Sequence, residues 1–341
     1  MTRILAGSLP EAGGYDADIV ILSLGRAVET EAAIRSALAQ TGLARHVIVF
    51  DQGSDSPTLA RFVALIAGRA DALLATADKN LGVAAGRNRA TALGHGQIIL
   101  ALDNDATFAD ETVARRALDL MAGEPALAVL GFRIMNAEGR DEDHASWGYP
   151  DALRPRASER FAAATFVGAG HAIRRRSWEA LGGYDSALFF TWEEFDFALR
   201  AIAAGWRILH AGDLAVHHKL ATAGRVTWQE TRWFLFVRNR LYIARKWQTP
   251  FPVLLLRAAA YALKSQRIGL LSQGLSGIGA GLRMPLAAPP RRLPIAAREY
   301  LRISDHAWRG GPFARLRREV WAALPSSRQR NTGNSAVTKS P

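Results

Sequence analysis

The first hundred residues alternate short apolar runs with stretches of helical periodicity, and this alternation limits the possible fold more than any other feature of the chain. The apolar runs have the length of strands, whereas the stretches between them repeat apolar residues at helical spacing. Because parallel neighbouring strands need a helical crossover, this β-α-β order predicts a parallel sheet with helices on both faces. We predict strands at 18–24, 46–50, 71–75 and 97–102, with helices at 29–40, 57–67 and 84–93.

A polar cluster follows each of the four predicted strands. The clusters are Gly25-Arg26, Asp51 to Ser54, Asn80 to Gly82, and Asp103 to Asp105. In open α/β sheets ligands bind beyond the carboxyl ends of the strands, so one cleft would gather all four clusters. The sequence therefore predicts a ligand site at this edge of the sheet.

The fourth predicted strand runs directly into two carboxylates, Asp103 and Asp105. In an extended chain this spacing puts both side chains on one side, where they repel each other unless a cation or a proton lies between them. Carboxylate oxygens suit Mg²⁺ or Mn²⁺, which typically link a protein to substrate phosphates. An isolated pair of aspartates at this spacing more often marks the turn in which a strand ends. The other three clusters favour the metal site.

Other kinds of site have less support in this sequence. The first predicted βα turn contains Gly25 alone and not the G-x-G-x-x-G of a dinucleotide site. A sugar nucleotidylyltransferase would need a longer glycine-rich basic loop there. With no cysteine among 341 residues, disulfides and thiolate chemistry are excluded, which fits a reducing compartment. We also expect no signal peptide in residues 1–14 and no membrane-spanning helix, because no apolar run reaches the required length.

A second acidic group opens a late predicted helix. Gly182 ends a short helix, and a new helix begins near Trp192 with Glu193, Glu194 and Asp196 in its first turn. Acids at this position complement the helix dipole, so a purely structural role is one interpretation. The surrounding aromatic residues favour a catalytic role instead, because burial raises the pKa of a carboxyl group toward the range of a general base.

The order of these segments resembles the inverting family-2 glycosyltransferases with the GT-A fold. The resemblance covers roughly residues 17 to 245 and depends on IVILSL, VIVFDQGS, NLGVAAGRN, ILALDNDATF and GGYDSALFFTWEEFDFALRAIAAGW. It implies an α/β fold of the GT-A type, with a mostly parallel sheet flanked by helices. It also implies a metal-dependent transfer of a sugar, with inversion, from a nucleotide-diphosphate sugar to an acceptor hydroxyl, with Mg²⁺ or Mn²⁺ as cofactor.

The resemblance also implies roles for individual residues. Glu193 or Glu194 supplies the catalytic base, with Glu193 ranked first by its alignment. The metal ligands are Asp103, Asp105 and His217, with His218 as the neighbouring candidate; outside this family a lone histidine is more often a core or solvated residue. The implied donor-binding residues are Asp51, Gly53, Asn80, Gly82, Arg87, Asn88, Asp103 and Asp105. The candidate acceptor contacts are Trp192, Asp196 and Trp147.

Residues 138–160 are polar, rich in turn formers and without helical period. This composition predicts a loop beside the cleft that acts as a lid or contacts the sugar acceptor. Trp147 and Tyr149 in this loop either stack on a sugar or pack the loop onto the body, and the sequence leaves both interpretations open.

Charge divides the chain into a mildly acidic body and a basic region. Residues 1–220 hold 22 Lys and Arg against 27 Asp and Glu, a balance of −5, whereas residues 221–341 hold 21 against 4, a balance of +17. We predict a catalytic domain at 1–225, a basic helical region at 226–325 and a disordered tail at 326–341.

Two amphipathic stretches occupy the basic region. The first, 228–247, contains Arg238-Asn239, which is similar to a pair often found after the catalytic domain of bacterial family members. The second, 251–282, places Arg257, Lys264 and Arg267 on one helical side. Such helices either lie in the interface of a bilayer or pack on the body with a solvated basic face.

We expect a cytoplasmic protein attached peripherally to the anionic inner face of the cell membrane. By family analogy its acceptor is a glycan or lipid-linked precursor of a cell-surface polysaccharide or glycolipid. The main alternative is a basic protein that binds nucleic acid or membrane without transferase activity, since the pI is about 10.7. A catalytically inactive, acceptor-binding homologue is a further alternative. The acidic body and the absence of a recognisable strand platform lead us to expect no nucleic-acid partner.

Overall fold

The protein forms a ten-stranded mixed sheet, and the computed structural model describes residues 2–219, 230–311 and 314–315. The strands are β1 Thr2–Gly7, β2 Ala17–Ser23, β3 Arg45–Asp51, β4 Ala72–Ala77, β5 Ile98–Asp103, β6 Ala106–Phe108, β7 Leu127–Asn136, β8 Arg160–Ala162, β9 Gly170–Arg174 and β10 Arg207–His218. The helices are α1 Ala27–Leu38, α2 Ser56–Ile66, α3 Gly82–Thr91, α4 Val113–Gly123, α5 Arg175–Leu181, α6 Glu193–Ala203, α7 Glu230–Lys246, α8 Phe251–Arg267, α9 Leu271–Arg283, α10 Ile295–Leu301 and α11 Ala307–Arg309.

The strand order is β1-β4-β3-β2-β5-β9-β7-β10-β6, and β8 pairs with β10. Strands β4, β3, β2 and β5 are parallel, as the alternation in the first hundred residues predicts. Beyond them β9 runs antiparallel to both β5 and β7, and β1 adds an antiparallel edge next to β4. The predicted α/β class is confirmed, and all four predicted strands and the three helices between them are present.

The two faces of the sheet bury separate hydrophobic cores. Because successive residues of a strand point to opposite faces, Ile19 and Ile21 contribute to one core and Val20 to the other. Helices α1, α2 and α4 cover the first face, and α3 and α6 cover the second. Burial on both faces explains why these strands are nearly continuous apolar runs.

Helix α7 packs on the body formed by the sheet and α6, and it also forms a core with α8 and α9. Tyr242 and Ile243 are buried in the same core as α6. On the other side of the helix, Trp233 and Leu241 pack against residues of α8, including Tyr261. Helix α7 is therefore the structural connection between the body and the basic helices.

The predicted basic stretch 251–282 differs from the structure in two ways. It is two helices, α8 and α9, because Gly269 adopts a left-handed conformation (φ 75°) that ends the first one. In addition, Lys264 does not belong to a solvated basic side. It is 1% exposed, and its Nζ lies 5.4 Å from the ring centroid of Trp233, where the aromatic face attracts the cation.

None of the described helices combines the length and the apolar character needed to cross a membrane. The predicted disordered tail, 326–341, and the first two residues of the predicted helix 228–247 lie outside the described residues.

Candidate active site

The predicted ligand edge forms where β5, β6 and β10 meet. Asp103 ends β5, and the chain turns through Asp105 into β6. Ala106, the first residue of β6, pairs antiparallel with His218, the last residue of β10. This pairing brings a histidine that is more than a hundred residues distant in sequence beside the aspartates.

Asp103, Asp105 and His218 form a compact group of potential metal ligands. One ligand atom from each residue lies within 4.8 Å of the others, and Asp105 Oδ1 is 3.3 Å from His218 Nε2. Two carboxylates and an imidazole are a donor set that Mn²⁺ and Mg²⁺ accept, so the residues present fit the implied cation.

The histidine in this group is His218. The prediction that His217 is the metal ligand is therefore corrected to its neighbour. Neighbouring residues of a strand point to opposite faces, so only one of the two can face the aspartates. His217 lies instead against Gly139, where an added Cβ would be 2.6 Å from its Nε2.

Asp143 orients His218 from behind. Its carboxylate has no solvent exposure and lies 3.0 Å from His218 Nδ1, leaving Nε2 toward the aspartates. A carboxylate bound to the second ring nitrogen fixes the orientation of a metal-binding histidine. Asp143 belongs to the predicted loop 138–160, and no local sequence pattern indicates a contact with a residue 75 positions later.

Arginines neutralise the two aspartates. Arg87, which is 3% exposed, pairs with Asp103 at 2.7 Å, and the half-exposed Arg26 pairs with Asp105. Burial works against ionisation of Asp105, but His218 and Arg26 hold its pKa below the ordinary value. Burial also lowers the pKa of His218, but its bonds to the two carboxylates outweigh this effect and raise the pKa to about 10. Asp105 is therefore held as an anion.

The two glutamates that open α6 lie in different surroundings. Glu193 is 3% exposed, and among the described residues its Oε2 has no hydrogen-bond partner. Burial and the charge of Glu194 raise the pKa of Glu193 well above its ordinary value. Glu194 is partly exposed and lies against Gly168, where an added Cβ would be 2.3 Å from Oε1. Burial, with the charge of Asp103, raises the pKa of Glu194 to about 7.

Several predicted donor-binding residues use their polar atoms to shape the loops of the cleft. The buried carboxylate of Asp51 accepts the backbone N–H groups of Gly53 and Ser54, at 2.9 and 2.8 Å. Asn80 Oδ1 accepts the N–H of Gly82 at 2.8 Å. These bonds fix the turns that follow β3 and β4 at the same sheet edge.

Asn88 holds another turn and does not point a free amide into the cleft. Its side chain donates to the carbonyl of Tyr184 and accepts the N–H of the same residue, at 2.8 and 2.9 Å. The expected donor contact through the amide of Asn88 is therefore corrected to a role in placing the Tyr184 turn.

The sequence suggested that Asp196 contacts the sugar acceptor, and the structure contradicts this prediction. The side chain has no solvent exposure and is ion-paired with Lys246 at 2.7 Å and Arg200 at 2.9 Å. Lys246 also contacts Asp185 at 2.8 Å, so this network joins α6 to α7.

The two predicted acceptor tryptophans are packed against the protein. Trp147 meets Tyr149 edge to face with ring centroids 5.1 Å apart, and its Nε1 donates to Pro150. This favours packing of the loop over stacking on a sugar. Trp192 packs on Phe236 and donates its Nε1 to the carbonyl of that residue at 3.1 Å.

Residues 18–182 match the model of glycosyl transferase family 2. An uncharacterized protein of Haemophilus influenzae is 34% identical over 106 residues, which are 30% of this chain and 56% of that protein. The resemblance to family-2 glycosyltransferases is thereby confirmed for the segment that includes β2 to β9.

Two solved structures are similar in fold. A structure of GalNAc-T7 with UDP, GalNAc and Mn²⁺ gives a TM-score of 0.57 at 15% identity, covering 77% of this chain and 54% of that one. The mannosyltransferase PcManGT of Pyrobaculum calidifontis, in complex with GDP-Man and Mn²⁺, gives 0.55 at 17% identity, covering 91% and 88%. This chain thus spans little more than half the length of the Haemophilus protein and of GalNAc-T7. The two structural likenesses support the fold.

Proposed function

Because residues 18–182 match glycosyl transferase family 2, we propose that the protein moves a sugar from a nucleotide-diphosphate sugar to an acceptor hydroxyl, with inversion. One observation supports this most directly. The acidic ligand group of Asp103, Asp105 and His218 lies at the carboxyl edge of the sheet, near enough for the charge of Asp103 to raise the pKa of Glu194. A charge-binding centre and a general base thus share one cleft.

We propose that Asp103, Asp105 and His218 hold Mg²⁺ or Mn²⁺. A bound cation would compensate the charge of the leaving diphosphate. The protein's own contribution is to keep Asp105 ionised, to pair Asp103 with Arg87 and to fix the imidazole through Asp143. Mn²⁺ is present in both of the similar structures.

Glu194 is the proposed catalytic base, in place of the initial preference for Glu193. A base must lose its proton near the working pH and must reach the acceptor. Glu194 meets both requirements, since its pKa is about 7 and its side chain is partly exposed. Glu193 is buried away from an acceptor, and burial raises its pKa well above the ordinary value. With one base taking the proton of the acceptor hydroxyl, a single displacement inverts the configuration at the anomeric carbon of the sugar.

The donor is proposed to lie along the turns after β2, β3, β4 and β5. Positive charge for its diphosphate comes from Arg26, whose side chain is 45% exposed, and from the buried Arg87. The turns built by Asp51 with Gly53, and by Asn80 with Gly82, shape the nucleotide side of the cleft.

We also propose that α8 and α9 attach the protein to the anionic cytoplasmic face of a membrane. Their surface exposes large apolar side chains, among them Phe251 at 68%, Leu256 at 53% and Leu275 at 51%. The balance of +17 over residues 221–341 matches an anionic lipid surface. A lipid-linked or cell-surface glycan precursor is the acceptor class that such an attachment would serve.

A thermal-shift screen tests the proposed activity. Nucleotide-diphosphate sugars are added with Mn²⁺, with Mg²⁺ or with a chelator, because a ligand that binds the folded state raises its melting temperature. We expect one nucleotide class to stabilise the protein only when metal is present. The absence of any metal-dependent shift across the panel would contradict the proposal. The selected donor is then used to measure nucleoside diphosphate release and the anomeric configuration of the product.

A further inference from the structure

The segment just before the glutamates has an unusual backbone. Phe189, Thr191 and Trp192 have positive φ values of 64°, 69° and 72°. Residues with a side chain rarely adopt this conformation, and large ones least of all. Such a backbone persists only when the surrounding structure holds it in place. We call residues 189–192 the 189–192 loop.

The loop needs this support because it sets the start of α6. Trp192 is the residue immediately before Glu193, and its carbonyl accepts the N–H of Asp196 in the first turn of the helix. Any rotation about the backbone of Trp192 would therefore redirect the side chains of Glu193 and Glu194.

One face of the loop is held by α3. The backbone N–H of Val83 donates to the carbonyl of Phe189 at 2.6 Å. Gly82 lies so close to the loop that an added Cβ would be 2.3 Å from the same carbonyl oxygen. The absence of a side chain at Gly82 lets α3 approach the loop.

The other face is held by one side chain of α7. Asn239 has no solvent exposure, and its amide nitrogen donates to three carbonyls: Leu188 at 2.8 Å, Phe190 at 2.9 Å and Thr191 at 2.9 Å. Arg238 donates from its Nε to Asn239 Oδ1 at 2.8 Å, which fixes the amide with its nitrogen toward the loop.

We propose that Asn239 is a positioning residue for catalysis: it holds the 189–192 loop in its positive-φ conformation and so places Glu194 at the acceptor. This inference rests on the proposed function, because Glu194 is the base of that reaction. The amide satisfies carbonyls that are turned away from regular helical bonding.

The substitution N239D tests this role with little change of shape. It replaces the donating nitrogen by an oxygen, so an acceptor faces three acceptors. We expect the loop to relax, and turnover to fall about 10²-fold because a general base is displaced from its reacting geometry. The KM for the donor should stay within about twofold, since the loop is distinct from the aspartates.

Hydrogen exchange gives a readout that needs no activity. In N239D, peptides covering 188–192 should exchange faster than in the wild-type protein, while peptides from β2 to β5 keep their protection. The matched control is S265A, which removes the buried bond from Trp233 Nε1 to Ser265 at 2.8 Å within the same helical region. It should lower stability without changing turnover or exchange of the loop.

Unchanged turnover in folded N239D, or unchanged exchange at 188–192, would overturn the proposal. If N239D does not fold, N239S replaces it, because serine removes the amide without burying a charge, and the same two outcomes apply. A wild-type protein without transferase activity refutes the proposed function. Exchange at the loop then still decides whether Asn239 holds the 189–192 loop.

Discussion

At the residue scale, the two adjacent glutamates of α6 show how burial separates the roles of similar side chains. Burial raises both pKa values. The pKa of the more exposed Glu194 is about 7, and the pKa of Glu193 is raised well above its ordinary value. The sequence predicts an acidic pair in apolar surroundings, because the tryptophan and phenylalanines are adjacent. Alignment with the family ranks Glu193 first, but the sequence does not show the difference in burial, because Glu194 lies against Gly168, which belongs to another part of the chain.

The substitution E194Q should lower turnover by about 10²-fold or more while leaving donor affinity unchanged, because the amide keeps the shape but cannot accept a proton. E193Q is the matched comparison and should have the smaller effect, since Glu193 is buried whereas Glu194 is partly exposed. Steady-state kinetics and calorimetry on both variants measure these quantities. Loss of turnover in E193Q with normal turnover in E194Q would reverse the assignment.

Stability should depend on pH through Glu194. Its pKa of about 7 in the folded protein lies above the ordinary value of 4.5, so the folded state binds the proton more tightly than the unfolded state. The resulting stabilisation is complete below pH 4.5 and is lost as the pH rises through about 7. Urea unfolding in the presence of a chelator should therefore show a smaller loss of stability in E194Q than in the wild type. If the free energy of unfolding changes with pH in the same way in both proteins, the pKa of Glu194 is not raised.

The histidine pair offers a second matched comparison. H218A should weaken Mn²⁺ binding by about 10-fold or more, as expected when a ligand and its oriented ring are removed. H217A should leave Mn²⁺ affinity close to that of the wild type, because His217 points to the opposite face of β10. Titration of both variants with Mn²⁺, followed by electron paramagnetic resonance, distinguishes them. Equal losses in the two variants would contradict the ligand group.

At the element scale, local periodicity predicts the parallel half of the sheet better than the rest. Strands β2 to β5 are continuous apolar runs separated by amphipathic helices, and their bounds agree with the structure to within about two residues at most ends. Strand β1 has no such signal, because it is an edge strand whose residues are mostly half-exposed. Strands β6 and β8 have only three residues each, which is too short for periodicity to appear.

The same limit applies to the basic helices. Helical spacing places Lys264 on a basic side, but it cannot show that α7 covers that side with Trp233. The exposed residues of α8 include several large apolar side chains, with Arg267 exposed at its end, and this combination supports the proposed membrane attachment.

The double substitution L255S/L256S should reduce sedimentation with anionic vesicles by roughly tenfold or more, because two half-exposed leucines no longer enter the lipid interface. L9S is the control, since Leu9 is equally exposed but lies outside α8 and α9. Moderate salt should release only part of the wild-type protein. Equal recovery of the wild type with neutral and anionic vesicles, or no binding to either, would leave α8 and α9 as a cover for the body.

At the scale of the whole molecule, the active site depends on contacts between distant segments. The edge of the parallel strands is predictable because strand ends converge. The positions of His218, Asp143 and Asn239 are not, since they follow from the pairing of β10 with β6, from the loop after β7 and from the docking of α7. These three contacts orient the imidazole of His218 and hold the loop that precedes Glu194, the proposed base.

The most direct test of the central claim is calorimetry of D105A with Mn²⁺ and the nucleotide-diphosphate sugar selected by the thermal-shift screen. The wild type and H217A should bind this donor only when Mn²⁺ is present. D105A should lose the metal-dependent binding, because Asp105 contacts His218 at 3.3 Å in the ligand group. If D105A binds the donor as the wild type does and its binding is still increased by Mn²⁺, the assignment of the metal and donor site is wrong.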